Sequence, residues 1–199
     1  MTIGQKYKSL QKILKKLERV VVAYSGGVDS TFLLKVAVDT LGKGNVLACI
    51  ATGPTLAESQ YKQALRVAKK IGAEVKTIEP NEMDDPKFTA NKADRCYHCK
   101  THLIKILKKI ARQNNLKNII CGNNFDDRLD YRPGWQAIKT FNVQCPLFDA
   151  RLTKNQIRQL SRKLKLPTAD IPASPCLASR LFVKAGLFRE AVVMVPNKG

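Results

Sequence analysis

The stretch VVVAYSGGVDSTFLL at residues 20–34 restricts the fold of this chain more than any other. Its β-branched start reads as a buried strand over 20–23, and the apolar run over 31–41 reads as a helix stopped by Gly42. Between the two lie adjacent glycines, two serines and an aspartate, with no lysine. Glycines after a strand let the backbone approach a ligand closely, and the amides that follow open a helix N-terminus, where anions bind. Ser25, Gly26, Gly27 and Ser30 thus form an anion cradle. The spacing fits neither the lysine-bearing phosphate loop nor the G-x-G-x-x-G dinucleotide turn. Asp29 inside an anion site calls for a cation, and magnesium bridging phosphates is the natural one. A cradle without lysine suits ATP cleaved between its α and β phosphates, with pyrophosphate as the group held. The plainer alternative is a capped strand-to-helix turn with no ligand.

The rest of the chain repeats the alternation. Tyr7, Leu10, Ile13, Leu14 and Leu17 lie on one face of a first helix. Strands follow near 46–51 and 73–79, with the helix over 55–72 between them, and a further helix at roughly 97–114 precedes the strand NIICG. A polar loop then leads to a last clear helix, TKNQIRQLSRKL, with Thr153 as its cap. Strands separated by helices of ten or more residues predict an α/β fold with a parallel, doubly wound sheet. In such sheets ligands gather at the carboxyl ends of the strands. The turns at 25–29, 52–55 and 122–130 are expected to converge there. We expect one domain over 1–165, and a loop with a short tail over 166–199.

Lysine and arginine outnumber acids 35 to 16, a net charge of +19. That balance favours anionic partners, although most of these residues sit on exposed helix faces, where lysine is a good helix former. No apolar run is long enough to cross a bilayer, and the lysine-studded N-terminus reads as an amphipathic helix and not as a signal peptide. Both features point to the cytoplasm. Six cysteines in such a chain argue against a disulfide framework. Cys49 and Cys121 read as small buried hydrophobes, and Cys145 is open to several readings.

SGGVDS at 25–30 resembles the signature of the PP-loop ATP pyrophosphatases. DRCYHCK at 94–100, GNNFDDRLDYRPGWQA at 122–137 and DIPASPCLASR at 170–180 narrow the resemblance to the LarE-type sulfur-insertion enzymes of that superfamily, over most of the chain. The resemblance implies an adenine-nucleotide α-hydrolase-like fold. It also implies ATP-dependent adenylylation of a pyridinium biscarboxylate mononucleotide, then sulfur insertion toward a nickel-pincer cofactor. The sequence after 180 departs from the family, so the C-terminal region is expected to be shortened.

Within that resemblance Cys96, Cys99 and Cys176 form a triad that can ligate three irons of a 4Fe-4S cluster, leaving the fourth iron open. The alternative is zinc, closed by His98 or Cys145. Cys176 is the expected catalytic residue with Asp29, either as cluster ligand or as a sulfur source in its own right. Asn123 joins the cradle as an ATP contact, and Asp126 and Asp127 are suited to magnesium or substrate. Arg132 is suited to bidentate capture of a carboxylate or phosphate, and Ser179 and Arg180 to holding the anionic substrate beside the sulfur donor. Trp135 reads as a core residue and His98 as a surface one. An exogenous sulfide or other sulfur donor and a homo-oligomer are expected partners. The rivals are a tRNA thiolation enzyme, an amide-forming NAD or GMP synthetase relative, and a nucleotide-binding module without turnover.

Overall fold

The structure, a computed structural model, describes residues 1–53, 56–90, 92–129 and 133–172. Arg132, Cys176, Ser179 and Arg180 lie outside the described residues.

Four strands form one parallel sheet in the order β3-β2-β1-β4, with β1 at Val20–Tyr24, β2 at Val46–Ala51, β3 at Glu74–Ile78 and β4 at Asn118–Cys121. β1 is central, pairing from Val20 with Val46 on one side and with Asn118 on the other. Successive side chains of a strand point to opposite faces, so one strand can feed two cores. Val20, Val22 and Tyr24 enter a core with Ala48, Ile50 and Ile120. Val21 enters the opposite core with Leu47, Cys49, Ile119 and Cys121. The sheet is therefore covered on both faces, as a doubly wound arrangement requires.

On the first face lie α1 (Ile3–Leu17), α2 (Val28–Leu41), α3 (Glu58–Ile71), α7 (Pro146–Asp149) and α8 (Lys154–Lys163). The short α4 (Pro86–Thr89) leads to α5 (Arg95–Gln113), which covers the second face with α6 (Pro133–Thr140). α2 is buried on nearly every side, from Val28 and Ser30 to Val38, because α1, α3 and α8 enclose it. Leu10 and Leu14 anchor α1 to this core, and a capping box between Thr2 and Gln5 starts it. Thr153 forms the same box with Gln156 at the start of α8. Gly72 ends α3 in the left-handed region, φ 80°. No helix among the described residues is long and apolar enough to cross a membrane.

The stretch read from sequence as a polar loop after β4 contains a 3-10 turn over Phe125–Leu129 and both α6 and α7. Each of these two helices starts at a proline, whose fixed φ suits the first helical position. They are short, and their apolar residues too few, for a periodic signal to stand out. Trp135 joins the second core, its ring 5.1 Å from that of Phe148. His98 lies at the surface but half-buried, its side chain 15% exposed and its ring bonded to Asp94 at 3.2 Å. The chain remains packed beyond α8, where Leu166 is in the first core and Arg158 donates to the carbonyls of Ala169 and Ile171.

The sheet and α2 meet without room for a side chain at Gly122. A Cβ there would stand 2.9 Å from Ser30 N and 3.0 Å from its Cα. Both are backbone atoms that cannot rotate aside. Gly122→Ala is expected to destabilise the fold by about 1–3 kcal/mol, the usual cost of forcing atoms into a filled site. Chemical denaturation midpoints of the purified variant and wild type measure it.

Candidate functional site

The chain leaves β1 at Tyr24, whose hydroxyl donates to Ala64 O in α3 at 3.0 Å. Gly26 follows with φ +76°, and a Cβ on it would lie 2.5 Å from the Ala64 side chain. Both the conformation and the crowding demand glycine here. Gly27 precedes α2 as its cap, without a side-chain bond, and the first helical bond is Thr31 N to Gly27 O at 2.9 Å. The amides of Val28, Asp29 and Ser30 come before that bond and open toward a ligand.

The two serines have an additional duty. Ser30 Oγ donates to Gly27 O at 3.2 Å and accepts from Ser25 N at 3.2 Å. Ser25 Oγ lies 2.9 Å from Ser30 Oγ and accepts from Gly27 N at 3.4 Å. With Ser30 donating to the carbonyl, Ser25 donates to Ser30, and both hydroxyl protons are used inside the turn. The serines therefore shape the cradle, and the backbone amides face outward from it.

Asp29 sits in the first turn of α2 with its side chain 19% exposed. Its Oδ2 meets Lys154 Nζ and accepts from Asn124 Nδ2 at 3.4 Å. Its Oδ1 is buried and finds no hydrogen-bond partner among the described residues. Burial raises the pKa of this carboxyl above its ordinary value, and the Asp127 charge adds to the rise. Lys154 and Asn124 oppose it without cancelling it. An orphaned, desolvated carboxylate oxygen beside an anion cradle is what a divalent cation bound to phosphates would occupy. Asp127, buried and close enough to perturb Asp29, fits the same cation.

Lys154 and Asn124 were not legible as site residues from sequence. Asn124 is 2% exposed and organises the loop after β4. Its amide donates to Asp127 Oδ2 at 3.0 Å, and its Oδ1 accepts from Asp126 N at 2.9 Å. Asp126 Oδ2 in turn accepts from Lys154 N at 2.8 Å, and Phe125 N bonds Leu152 O at 2.9 Å. This loop docks the start of α8 and directs Lys154 back to Asp29. One weak signal did exist: a lysine at the first position of a helix opposes the helix dipole, a cost that a nearby anion offsets. The cation absent from the glycine turn arrives from α8.

Of the other expected residues, Asn123 accepts from Cys121 Sγ at 3.3 Å beside the turn. Cys96 and Cys99 share the first turn of α5, three residues apart and hence on one face, with Cys96 exposed and 3.8 Å from Arg95 Nη2. Among the described residues no three His, Cys, Asp or Glu side chains are gathered so as to hold a metal. Cys176 is outside that set, so the triad cannot be read from it. The large cleft of about 900 Å³ lies elsewhere, lined by Glu18, Arg19, Arg112, Lys117 and Asn118 at the amino edge of the sheet. The ends of α1 and α5 meet there, and basic residues at helix C-termini complement the dipole. No expected site residue lines it.

The raised pKa of Asp29 has a definite sign. A carboxyl whose folded-state pKa exceeds its unfolded value contributes stability below the unfolded pKa, and that contribution is lost as pH rises through the folded one. At neutral pH the ionised side chain is a cost. Asp29→Asn keeps the shape, so its thermal midpoint should exceed that of wild type near pH 7, and the gap should shrink as pH falls into the carboxylate range. A gap that widened on acidification would show that Lys154, not burial, dominates.

The NAD synthase family model matches residues 3–124 of this chain. An uncharacterised protein of Synechocystis, slr1717, is 42% identical over 178 residues, covering 89% of this chain and 66% of its own. The pyridinium-3,5-bisthiocarboxylic acid mononucleotide synthase of Lactiplantibacillus plantarum is 33% identical over 179 residues, covering 90% and 65%. The chain thus spans just under two thirds of the length of either relative. Among solved structures, NMN synthetase from Francisella tularensis superposes with a TM-score of 0.69 at 18% identity, over 96% of this chain and 82% of that one. That likeness shows the fold, and the family model reaches across the cradle, the sheet and the start of the loop after β4. The chain belongs to the NAD synthase-like family of PP-loop ATP pyrophosphatase domains.

Proposed function

We propose that this protein activates a carboxylate with ATP and replaces one of its oxygens with sulfur. The substrate would be pyridinium biscarboxylate mononucleotide and the product the thiocarboxylate precursor of the nickel-pincer nucleotide. The observation that carries the ATP half is the orphaned Asp29 oxygen between the glycine turn and Lys154. The choice of substrate rests on the 33% identity to the bisthiocarboxylic acid mononucleotide synthase.

In this reading the amides from Val28 to Ser30 would hold the β and γ phosphates, and Asp29 with Asp127 would hold magnesium, which would supply charge neutralisation there. Lys154, whose ammonium stands beside Asp29, would supply positive charge to the departing pyrophosphate. A substrate carboxylate oxygen attacks the α phosphorus, the bond to the bridging oxygen breaks, and pyrophosphate leaves. A sulfur nucleophile then attacks the acyl carbon, and AMP leaves with the former carboxylate oxygen. Asn123 would contact ATP, while Arg132, Ser179 and Arg180 would hold the substrate's anionic groups. Asp126 serves by docking α8, through its bond to Lys154 N. Residues 166–199 would form the part that carries sulfur and binds substrate.

Two sulfur sources fit the thiols. Cys96, Cys99 and Cys176 would ligate a 4Fe-4S cluster, which would supply a route for exogenous sulfide; or Cys176 would give up its own sulfur. We favour the triad because all three cysteines are present.

Asp29→Ala should abolish pyrophosphate release from ATP, magnesium and the biscarboxylate nucleotide while leaving the circular dichroism of the fold unchanged. Lys154→Met should lower the rate by about 10²–10³-fold, the usual effect of losing one stabilising charge in a transition state. Pyrophosphate released with tRNA but not with the nucleotide would transfer the assignment to RNA thiolation, which the +19 charge also suits. Intact-mass spectrometry after anaerobic reaction separates the sulfur sources. An unchanged mass with repeated turnover in protein reconstituted with iron and sulfide supports the cluster, and dehydroalanine at position 176 in that sample overturns it.

A further inference from the structure

Behind the nucleotide turn, on the second face of the sheet, two thiols face each other. Cys121 ends β4, Cys145 precedes α7, and their sulfurs are 3.3 Å apart. Cys121 is 4% and Cys145 6% exposed. The backbones are tied as well: Cys121 N donates to Gln144 O at 3.0 Å, Gln144 N donates to Ile119 O at 2.9 Å, and Ile120 pairs with Gln144 as a parallel bridge. Disulfide sulfurs stand about 2.05 Å apart, so these need to close by only about 1.2 Å. We infer that Cys121 and Cys145 are a modification site, a dithiol that a hydroperoxide converts reversibly to a disulfide.

The surroundings divide the roles. Where Cys145 donates its S–H across the 3.3 Å contact, Cys121 is held below the ordinary thiol range and Cys145 above it. The ammonium of Lys100 favours thiolate at both. Cys49 in the same core provides the contrast: its thiol is pushed up to about 12, chiefly by burial. Cys121 is therefore the attacking sulfur. Its thiolate takes the terminal oxygen of the hydroperoxide, the O–O bond breaks, and an alcohol or water leaves with a proton, giving Cys121 sulfenic acid. Cys145 sulfur then attacks Cys121 sulfur, the S–O bond breaks, and the hydroxide leaves as water with the Cys145 proton. Two thiols and one hydroperoxide yield one disulfide, one alcohol or water, and one further water.

The modification would be felt at the cradle, a consequence that rests on the proposed ATP site. Cys121 anchors Asn123 through its S–H, which the disulfide removes. Gly122, the next residue, has no slack against Ser30 and Asp29. Moving Cys121 toward Cys145 therefore pulls on the turn, and the oxidised protein should bind ATP at least about fivefold more weakly.

The test begins with anaerobically purified, metal-free full chain exposed to stoichiometric hydrogen peroxide. Thiol titration in denaturant should fall by two of the six cysteines, peptide mapping should show a 121–145 cross-link, and dithiothreitol should restore both thiols. Cys145→Ser should form no cross-link and leave Cys121 trappable as sulfenic acid by dimedone. Oxidation confined to Cys96 and Cys99, or passage of Cys121 straight to sulfinic acid in wild type, overturns the proposal. ATP affinity is then compared between reduced and cross-linked protein. Equal affinities overturn the coupling. Absence of ATP binding in the reduced protein overturns the ATP reading and leaves the cross-link standing on its own measurement.

Discussion

A carboxylate withdrawn from water requires a counter-charge, and that requirement links the two ends of this fold. Asp29 stands on the first turn after the central strand, and Lys154 stands at the start of α8. Their contact spans 125 positions of sequence. The loop from Asn123 to Asp127 exists, structurally, to make that contact possible: it uses its own carboxylates and carboxamide to hold the N-terminus of α8 against the carboxyl edge of the sheet. The remaining unpaired oxygen of Asp29 is then a fixed demand for positive charge, placed where phosphates would lie.

Close approach of backbone does the rest of the positioning. Gly26 lets the turn pass against Ala64 of α3, and Gly122 lets the end of β4 pass against the N-terminus of α2. Three elements far apart in sequence thereby share one edge without side chains between them. The serines complete the shape by bonding each other and the turn backbone. Rigidity of this kind favours an anion site, because amides already oriented lose little freedom when the ligand arrives.

Much of this was legible in the sequence. Local signals specified the strand–glycine–helix unit, the parallel alternation and the capped last helix, because each depends on residues close together in the chain. That the glycine turn with Asp29 and the loop after β4 would meet at one edge was legible from the parallel alternation. Lys154 and Asn124 were not, since their roles come from long-range docking that no periodicity records. The serines were read as ligand donors, and in the ligand-free turn they also bond each other and its backbone. His98 was read as a surface residue, and it lies partly exposed between carboxylates from two segments, Asp85 and Asp94. α6 and α7 escaped notice because helices of eight and four residues carry too little pattern to rise above a polar loop.

The pairing of the first and last helices on α2 also sets a timetable. Synthesis proceeds from the N-terminus, so the glycine turn leaves the ribosome well before α8 exists. Lys6 of α1 bonds Gln156 of α8 at 2.9 Å, and Ile157 and Leu160 seal the core over α2, so these contacts also wait for the final helix. Until then α2 lacks one wall, and Asp29 lacks its ammonium. A nascent chain stopped at residue 124 would hold every residue of the SGGVDS motif and still lack the cation that balances it. The wall over α2 and the ammonium beside Asp29 would therefore arrive together, when α8 docks.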